Sequence, residues 1–120
     1  MRPHEKLDVW SKSVDFVVLV YEATRSFPAD EKFGLTSQIR RAAVTIAANI
    51  SEGAARRTNG EFLQFLSIAQ GSSSEVETEL LIAFRLGFLT QEVYESLRSE
   101  IDSIGRMLMG LSNHLKYQGK

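Results

Sequence analysis

The feature that most constrains the fold is a set of apolar residues near the end of the chain, separated by three or four positions. They are Val93, Leu97, Ile101, Ile104, Leu108, Leu111 and Leu115. Because an α-helix has 3.6 residues per turn, this spacing places them all on one face. The sequence therefore predicts a helix over residues 91–116 whose apolar face must be covered by other helices.

Two earlier segments carry apolar residues at the same steps. The first predicts a helix over about residues 7–25, and Phe27-Pro28 ends it because the residue before a proline disfavours the helical conformation. The second predicts a helix over residues 35–54, in which several alanines allow a neighbouring helix to approach closely. Both helices are expected to pack in one core with residues 91–116.

The clearest helix start in the chain lies at Thr58. Glu61 follows it at the spacing of a capping box. Apolar residues then recur as far as Gly87, which predicts a long helix over residues 59–86. No segment shows the alternation typical of a β-strand. The sequence therefore predicts an all-α fold, an antiparallel up-down-up-down four-helix bundle that forms one domain over residues 1–120.

Composition excludes several functional classes. The chain has 120 residues, no cysteine and a formal net charge of −1. Without cysteine it has no disulfides, iron–sulfur clusters, cysteine-ligated zinc or thiol nucleophile. The longest apolar run, residues 16–21, is far shorter than the roughly 20 residues of a membrane span, and the N-terminus lacks the apolar core of a signal peptide. We expect a cytoplasmic protein without a membrane partner.

Catalytic chemistry has little support in the remaining residues. The histidines, His4 and His114, lie near the chain ends without neighbours that would form a hydrolase triad. Glu75 and Glu79 are one turn apart, but the Glu-x-x-His pairs of a bundle di-metal site are missing. We therefore predict no enzyme, no catalytic residues, no metal, no cofactor and no small-molecule substrate. A carboxylate metal enzyme remains as an alternative.

The basic residues are unevenly placed despite the near-neutral total. Residues 40–60 have a charge of +3, and residues 61–120 have −3. The local positive charge comes from four arginines, Arg40, Arg41, Arg56 and Arg57. Arginine suits bidentate phosphate binding, so these residues are candidates for weak binding of RNA or DNA. In the alternative, the protein is purely an assembly module, and its arginines form internal salt bridges with Glu75, Glu77 or Glu79.

Surplus apolar surface predicts self-association. Val18, Leu19 and Val20 add apolar surface outside the main stripe of the first helix. A helix that is apolar on more than one face normally buries more than one face. The last helix also has residues beside its apolar stripe that favour a contact with another subunit, Met107, Met109 and Gly110. We therefore expect a homo-oligomer.

Five motifs follow one another from the end of the first helix into the third. They are Phe27-Pro28-x-x-Glu31, Leu35-x-x-Gln38-x-Arg40-Arg41-Ala42, Asn49-Ile50-x-Glu52-Gly53, Glu61-Phe62-x-x-Phe65-Leu66-x-x-Ala69-x-Gly71-Ser72 and Glu75-x-Glu77-x-Glu79. Together they resemble the four-helix-bundle proteins encoded in intervening sequences of bacterial 23S ribosomal RNA genes. The resemblance covers most of the chain as far as Leu89, and the last helix matches only in its periodicity.

The resemblance implies an antiparallel bundle that assembles into a ring-like homo-oligomer, a pentamer, with no established biochemical activity. The family is also similar to accessory proteins of diversity-generating retroelements, which implies nucleic-acid binding alongside a reverse transcriptase. Several polar motif positions are candidates for a buried network that fixes the helix register. These are Gln38, Asn49, Glu52, Glu75 and Glu79.

Overall fold

The computed structural model describes residues 2–118, with all of their side chains except those of residues 5 and 6. Residues 1, 119 and 120 of the predicted domain lie outside the described residues. Two short 3-10 turns precede the first and second helices, at Pro3–Lys6 and Ala29–Glu31. The four helices are α1 (Asp8–Thr24), α2 (Leu35–Ala54), α3 (Asn59–Arg85) and α4 (Gln91–Gln118). No residue in 2–118 belongs to a strand, so the prediction of an all-α four-helix fold is confirmed.

Threonine side chains set the starts of the two long helices. Thr58 Oγ1 accepts a hydrogen bond from the Glu61 N–H at 3.1 Å, which satisfies a free donor in the first turn of α3. Thr90 Oγ1 accepts the Val93 N–H at 3.2 Å and caps α4 in the same way. Both starts therefore follow from the local sequence.

A glycine ends α3. Gly87 has a φ of +83°, in the left-handed region that favours glycine. This conformation lets the Phe88 N–H donate to the Ala83 carbonyl at 2.9 Å, and the Phe88 ring then packs 5.4 Å from the ring of Phe27. The turn thus joins the end of α3 to the connection between α1 and α2.

Helices α3 and α4 run in opposite directions. Between α3 and α4, Glu77 meets Arg98 whereas Ser73 meets Gly105, so residue numbers rise along one helix as they fall along the other. Each helix packs against two others, and α1 lies diagonally across from α3, as α2 does from α4. The described bundle measures 48 × 22 × 22 Å. Helix α2 therefore has α1 on one flank and α3 on the other.

All four helices contribute side chains to one core. Phe16, Ile46, Leu80 and Ile104, one from each helix, are at most 1% exposed. The stripe predicted on α4 faces this core, and its buried members are Leu97, Ile101, Ile104, Leu108 and Leu115. The core thus explains why the spacing of apolar residues was the strongest signal in the sequence.

The contact between α2 and α3 depends on a glycine. A Cβ atom added at Gly53 would lie 2.7 Å from Phe62 Cδ1 and 2.8 Å from Phe65 Cβ. Real Cβ atoms do not approach other atoms so closely. Gly53 therefore allows the end of α2 to lie directly on the aromatic first turns of α3.

None of the helices within residues 2–118 is both long enough and apolar enough to cross a membrane.

Candidate functional site

Two rows of side chains lie side by side on the surface between α2 and α3. The row on α2 consists of Gln38, Arg41, Thr45, Asn49 and Glu52, and the row on α3 consists of Ile68, Ser72, Glu75, Glu79 and Ile82. Steps of three or four residues keep each row on one side of its helix. An open depression of about 330 Å³ lies between the rows. It is lined by Gln38, Arg41, Ala42, Thr45, Ser72 and Glu75. We call this surface the α2–α3 face.

A second surface lies on the other flank of α2. A depression of about 340 Å³ there is lined by residues that include Tyr21, Phe33, Thr36 and Arg40. Exposed apolar side chains continue it along both helices. They are Val14 and Val18, which precede Tyr21 by seven and three residues on α1, and Val44, which follows Arg40 by one turn on α2. We call this surface the α1–α2 face.

Arg40 connects α2 to α1. Its Nε donates a hydrogen bond to Thr24 Oγ1 at 2.8 Å, and Nη2 donates to the Tyr21 carbonyl at 3.3 Å. The guanidinium also lies over the Tyr21 ring, 4.4 Å from its centre, which is a cation–π contact. Arg40 is therefore held in one orientation at the α1–α2 face.

Arg41 points away from the core and lines both depressions. The predicted salt bridges from Arg40 and Arg41 to Glu75, Glu77 or Glu79 are not formed in the described part of the chain. Glu77 instead pairs with Arg98 of α4, at 3.1 Å. The physical reason is that successive helical residues differ by about 100° in direction, so Arg40 faces α1 while Arg41 faces solvent.

Arg56 and Arg57 lie beyond the end of α2. The Arg56 guanidinium is 4.7 Å from the centre of the Phe65 ring, and its Nη2 is 3.8 Å from Glu52 Oε2. Arg57 is exposed and forms no ion pair with the described side chains. Arg41 and Arg56 are 15 residues apart, or about 22 Å along a helix. The four candidate arginines therefore do not form one patch on the subunit.

The five residues proposed as a polar network share the α2–α3 face but are not joined into one network. Asn49 Nδ2 donates to the Thr45 carbonyl within its own helix, at 2.8 Å. Glu52 is exposed and its ion pair is with Arg56, whereas the exposed side chain of Gln38 has no hydrogen bond to another described residue. The network fails because most of these side chains reach solvent and need no buried partner.

Glu75 and Glu79 are the two members of that set that interact. Glu79 is 5% exposed and its Oε1 has no hydrogen-bond partner among the described residues. Its pKa is raised to about 7, first because burial disfavours the charged form, and then because of the charge of Glu75 and a hydrogen bond with it. Glu79 is therefore a buried carboxyl group that changes its charge near neutral pH.

Sequence reasoning missed an ionic cluster between α3 and α4. Arg98 lies 3.1 Å from Glu77 Oε1 and donates from Nε to Asp102 Oδ1, also at 3.1 Å, and its Nη1 contacts the Tyr94 hydroxyl. The hydrogen bonds to Asp102 and Tyr94 raise the pKa of Arg98 above its usual range. The i,i+4 spacing of Tyr94, Arg98 and Asp102 was the available signal.

The prediction of surplus apolar surface on α1 is only partly correct. Val18 and Leu19 are exposed, but Val20 is fully buried in the core. The reason is that Val20 lies one turn after Phe16 and shares its inward direction. On α4, Met109 is 58% exposed, whereas Met107 packs partly against the core.

Histidine, aspartate and glutamate side chains do not converge on a metal site in the described part of the chain. No three of these side chains within it lie close enough together to hold a metal ion. The Glu75–Glu79 pair therefore has no third ligand of this kind among the described residues.

The comparisons with known proteins agree with this architecture. The sequence profile of the family described as "23S rRNA-intervening sequence protein" matches residues 5–110. A crystal structure from Bacteroides thetaiotaomicron, of a protein with unknown function from the S23 ribosomal protein family, is 28% identical with a TM-score of 0.80. The match covers 88% of this chain and 95% of that one. No curated protein matches the chain. This chain belongs to the 23S rRNA-intervening sequence protein family.

Proposed function

We propose that this protein is a self-assembling, non-enzymatic binding module whose subunits form a ring-like homo-oligomer, as the family resemblance implied. The observation that carries the proposal is the α1–α2 face. Val18 is 54% exposed and Phe33 is 90% exposed, and Val14, Tyr21 and Val44 add further exposed apolar side chains to this face. Contiguous apolar patches on soluble proteins mark interaction sites more often than isolated apolar residues do.

The packing of α1 supports this proposal. Phe16 and Val20 already cover the core, so Val14, Val18 and Tyr21 are not needed there. Burying an apolar side chain of this size stabilises a protein by roughly 1.5–3 kcal/mol. Several such side chains left exposed would contribute this free energy only if another surface covered them. A second subunit would provide that cover.

Sedimentation velocity at micromolar concentration tests the proposal. We expect one discrete oligomer for the natural chain, and we propose five copies. Val18→Asp should weaken association because it places a charge in the apolar part of the interface. Ser67→Asp, an exposed position on α3 outside this face, is the control and should assemble normally. A natural chain that sediments as a monomer would contradict the proposal.

A second candidate function is weak binding of RNA or DNA by the assembled subunits. The observation that favours it is that Arg41 and Arg57 are exposed and have no ion pair with any described side chain. One subunit presents few such cations, but a ring repeats them, and each neutralised phosphate adds to a salt-dependent affinity.

Fluorescence anisotropy with a labelled single-stranded RNA and a DNA of the same sequence tests this second function. Binding should be measurable at about 50 mM salt and fall at about 200 mM. Arg56→Ala combined with Arg57→Ala should weaken it about tenfold, because each lost arginine removes a phosphate contact. Arg85→Ala combined with Arg106→Ala is matched in charge and should bind normally. Absence of binding at the lower salt concentration would rule the function out.

A further inference from the structure

Two buried side-chain oxygens among the described residues lack a hydrogen-bond partner, Thr36 Oγ1 and Glu79 Oε1. Thr36 lines the depression of the α1–α2 face, and Glu79 belongs to the α2–α3 face. A buried polar atom without a partner costs about 1–3 kcal/mol, and native proteins rarely leave one in that state. Each of the two faces thus contains a polar group that is incompletely satisfied within the subunit.

The α3 row of the α2–α3 face is acidic at its centre and apolar on both sides. Glu75 and Glu79 lie in the middle of the α3 row, and neither is within 4 Å of a cationic group of the described side chains. Ile68 lies on one side of them at 52% exposure and Ile82 lies on the other side at 44% exposure. Leu86, one turn further on, extends the apolar end. This order, apolar–carboxyl–apolar, spans about 27 Å of helix.

The α1–α2 face has the same order with the opposite charge. Arg40 lies at its centre, with Val14, Val18 and Val44 on one side and Phe33 on the other. The hydrogen bonds to Thr24 and Tyr21 occupy two of the five guanidinium N–H groups, so three remain for another acceptor. Because Tyr21 already holds the guanidinium, little side-chain entropy is lost when it binds a carboxylate.

We infer that the α1–α2 face of one copy of this chain binds the α2–α3 face of a second copy, with Arg40 paired to the exposed carboxyl group of Glu75. The apolar ends of the two faces cover each other on both sides of this ion pair. The inference rests on the proposed self-assembly and specifies its contact surfaces.

This contact is heterologous, because it joins two different faces of the same subunit. The two faces flank α2 on adjacent sides of a four-helix bundle. Heterologous contacts form a closed ring when the rotation from each copy to the next closes on itself. The proposed ring-like assembly therefore requires every contact to have this same rotation.

Charge reversal at each face alone and then at both faces together tests the inference. Arg40→Glu alone and Glu75→Arg alone should each weaken association at least about tenfold, since each places like charges opposite one another. The double variant Arg40→Glu with Glu75→Arg should associate again, because the new carboxylate on the α1–α2 face of each copy meets the new guanidinium on the α2–α3 face of the next copy. Circular dichroism of each variant shows whether it is folded. Arg106→Glu and Glu92→Arg, matched reversals on α4, should assemble like the natural chain.

The outcomes separate the two proposals. If the natural chain is monomeric, the proposed self-assembly fails and this inference fails with it. If the natural chain is oligomeric but neither reversal weakens it, self-assembly stands and these faces are wrong, which leaves them open to a different partner. Reversals that weaken association without recovery in the double variant would also overturn the pairing of Arg40 with Glu75.

Discussion

At the scale of single residues, Glu79 has the least favourable surroundings for its charge. The side chain is buried on α3, and the charged group that acts on it is Glu75, one turn earlier on the same helix. Arg41 points to solvent and does not pair with it. A buried carboxyl group in this situation is more stable protonated than ionised.

The stability of the isolated subunit should therefore fall as the pH rises. The pKa of Glu79 is about 7 in the folded chain and 4.5 when the group is not buried, so the folded state binds more protons between these values. Stability is highest below pH 4.5 as far as this group is concerned, and about 3 kcal/mol is lost once the pH has risen through the folded pKa. Urea unfolding across the range from weakly acidic to weakly basic pH, at concentrations where the subunit is monomeric, measures this slope.

Glu79→Gln is the control for that slope. The glutamine has nearly the same shape and no charge, so it should flatten the pH profile and raise stability above the folded pKa by about 1–3 kcal/mol. Glu61→Gln, an exposed position, should leave the profile as it is. A profile that remains steep in Glu79→Gln would assign the pH dependence to a different group.

At the scale of helices, the contact between α2 and α3 is set by the space available at Gly53. Alanine is a better helix former than glycine by about 1 kcal/mol, so Gly-to-Ala changes in helices are stabilising wherever there is room. At Gly53 there is none, because Phe62 and Phe65 occupy the space of the new methyl group. The same substitution should therefore have opposite effects at different glycines.

Gly53→Ala should destabilise the subunit by about 1–3 kcal/mol, the usual effect of overpacking, because α2 and α3 must separate to admit the methyl group. Gly71→Ala is the matched control. Its Cβ would have no neighbour within 4 Å, so it should be neutral or stabilising by up to about 1 kcal/mol. Thermal unfolding of both variants gives the comparison, and a Gly53→Ala variant as stable as Gly71→Ala would contradict the close contact.

The helices themselves could be predicted because each depends on nearby residues. The caps at Thr58 and Thr90 and the turn at Gly87 are local signals, and the apolar stripe of α4 reports directly on its buried face. The surroundings of Arg40 and Arg41 could not be predicted in this way. They depend on which flank of α2 holds α1 and which holds α3. The apolar periodicity of the sequence is the same in both arrangements, so it cannot distinguish them.

At the scale of the whole molecule, the described bundle has two surfaces that a single subunit leaves uncovered, the α1–α2 face and the α2–α3 face. Each combines exposed apolar side chains, a charged centre and one buried oxygen without a partner among the described residues. The charges have opposite sign, so the inferred contact between copies would cover the exposed apolar side chains of both faces.

Native mass spectrometry of the natural chain tests the central claim most directly. Self-assembly through two different faces predicts one dominant species of defined size, at about five times the subunit mass, with no series of ever larger species because the ring closes. A spectrum containing only the subunit mass at micromolar concentration would contradict the account.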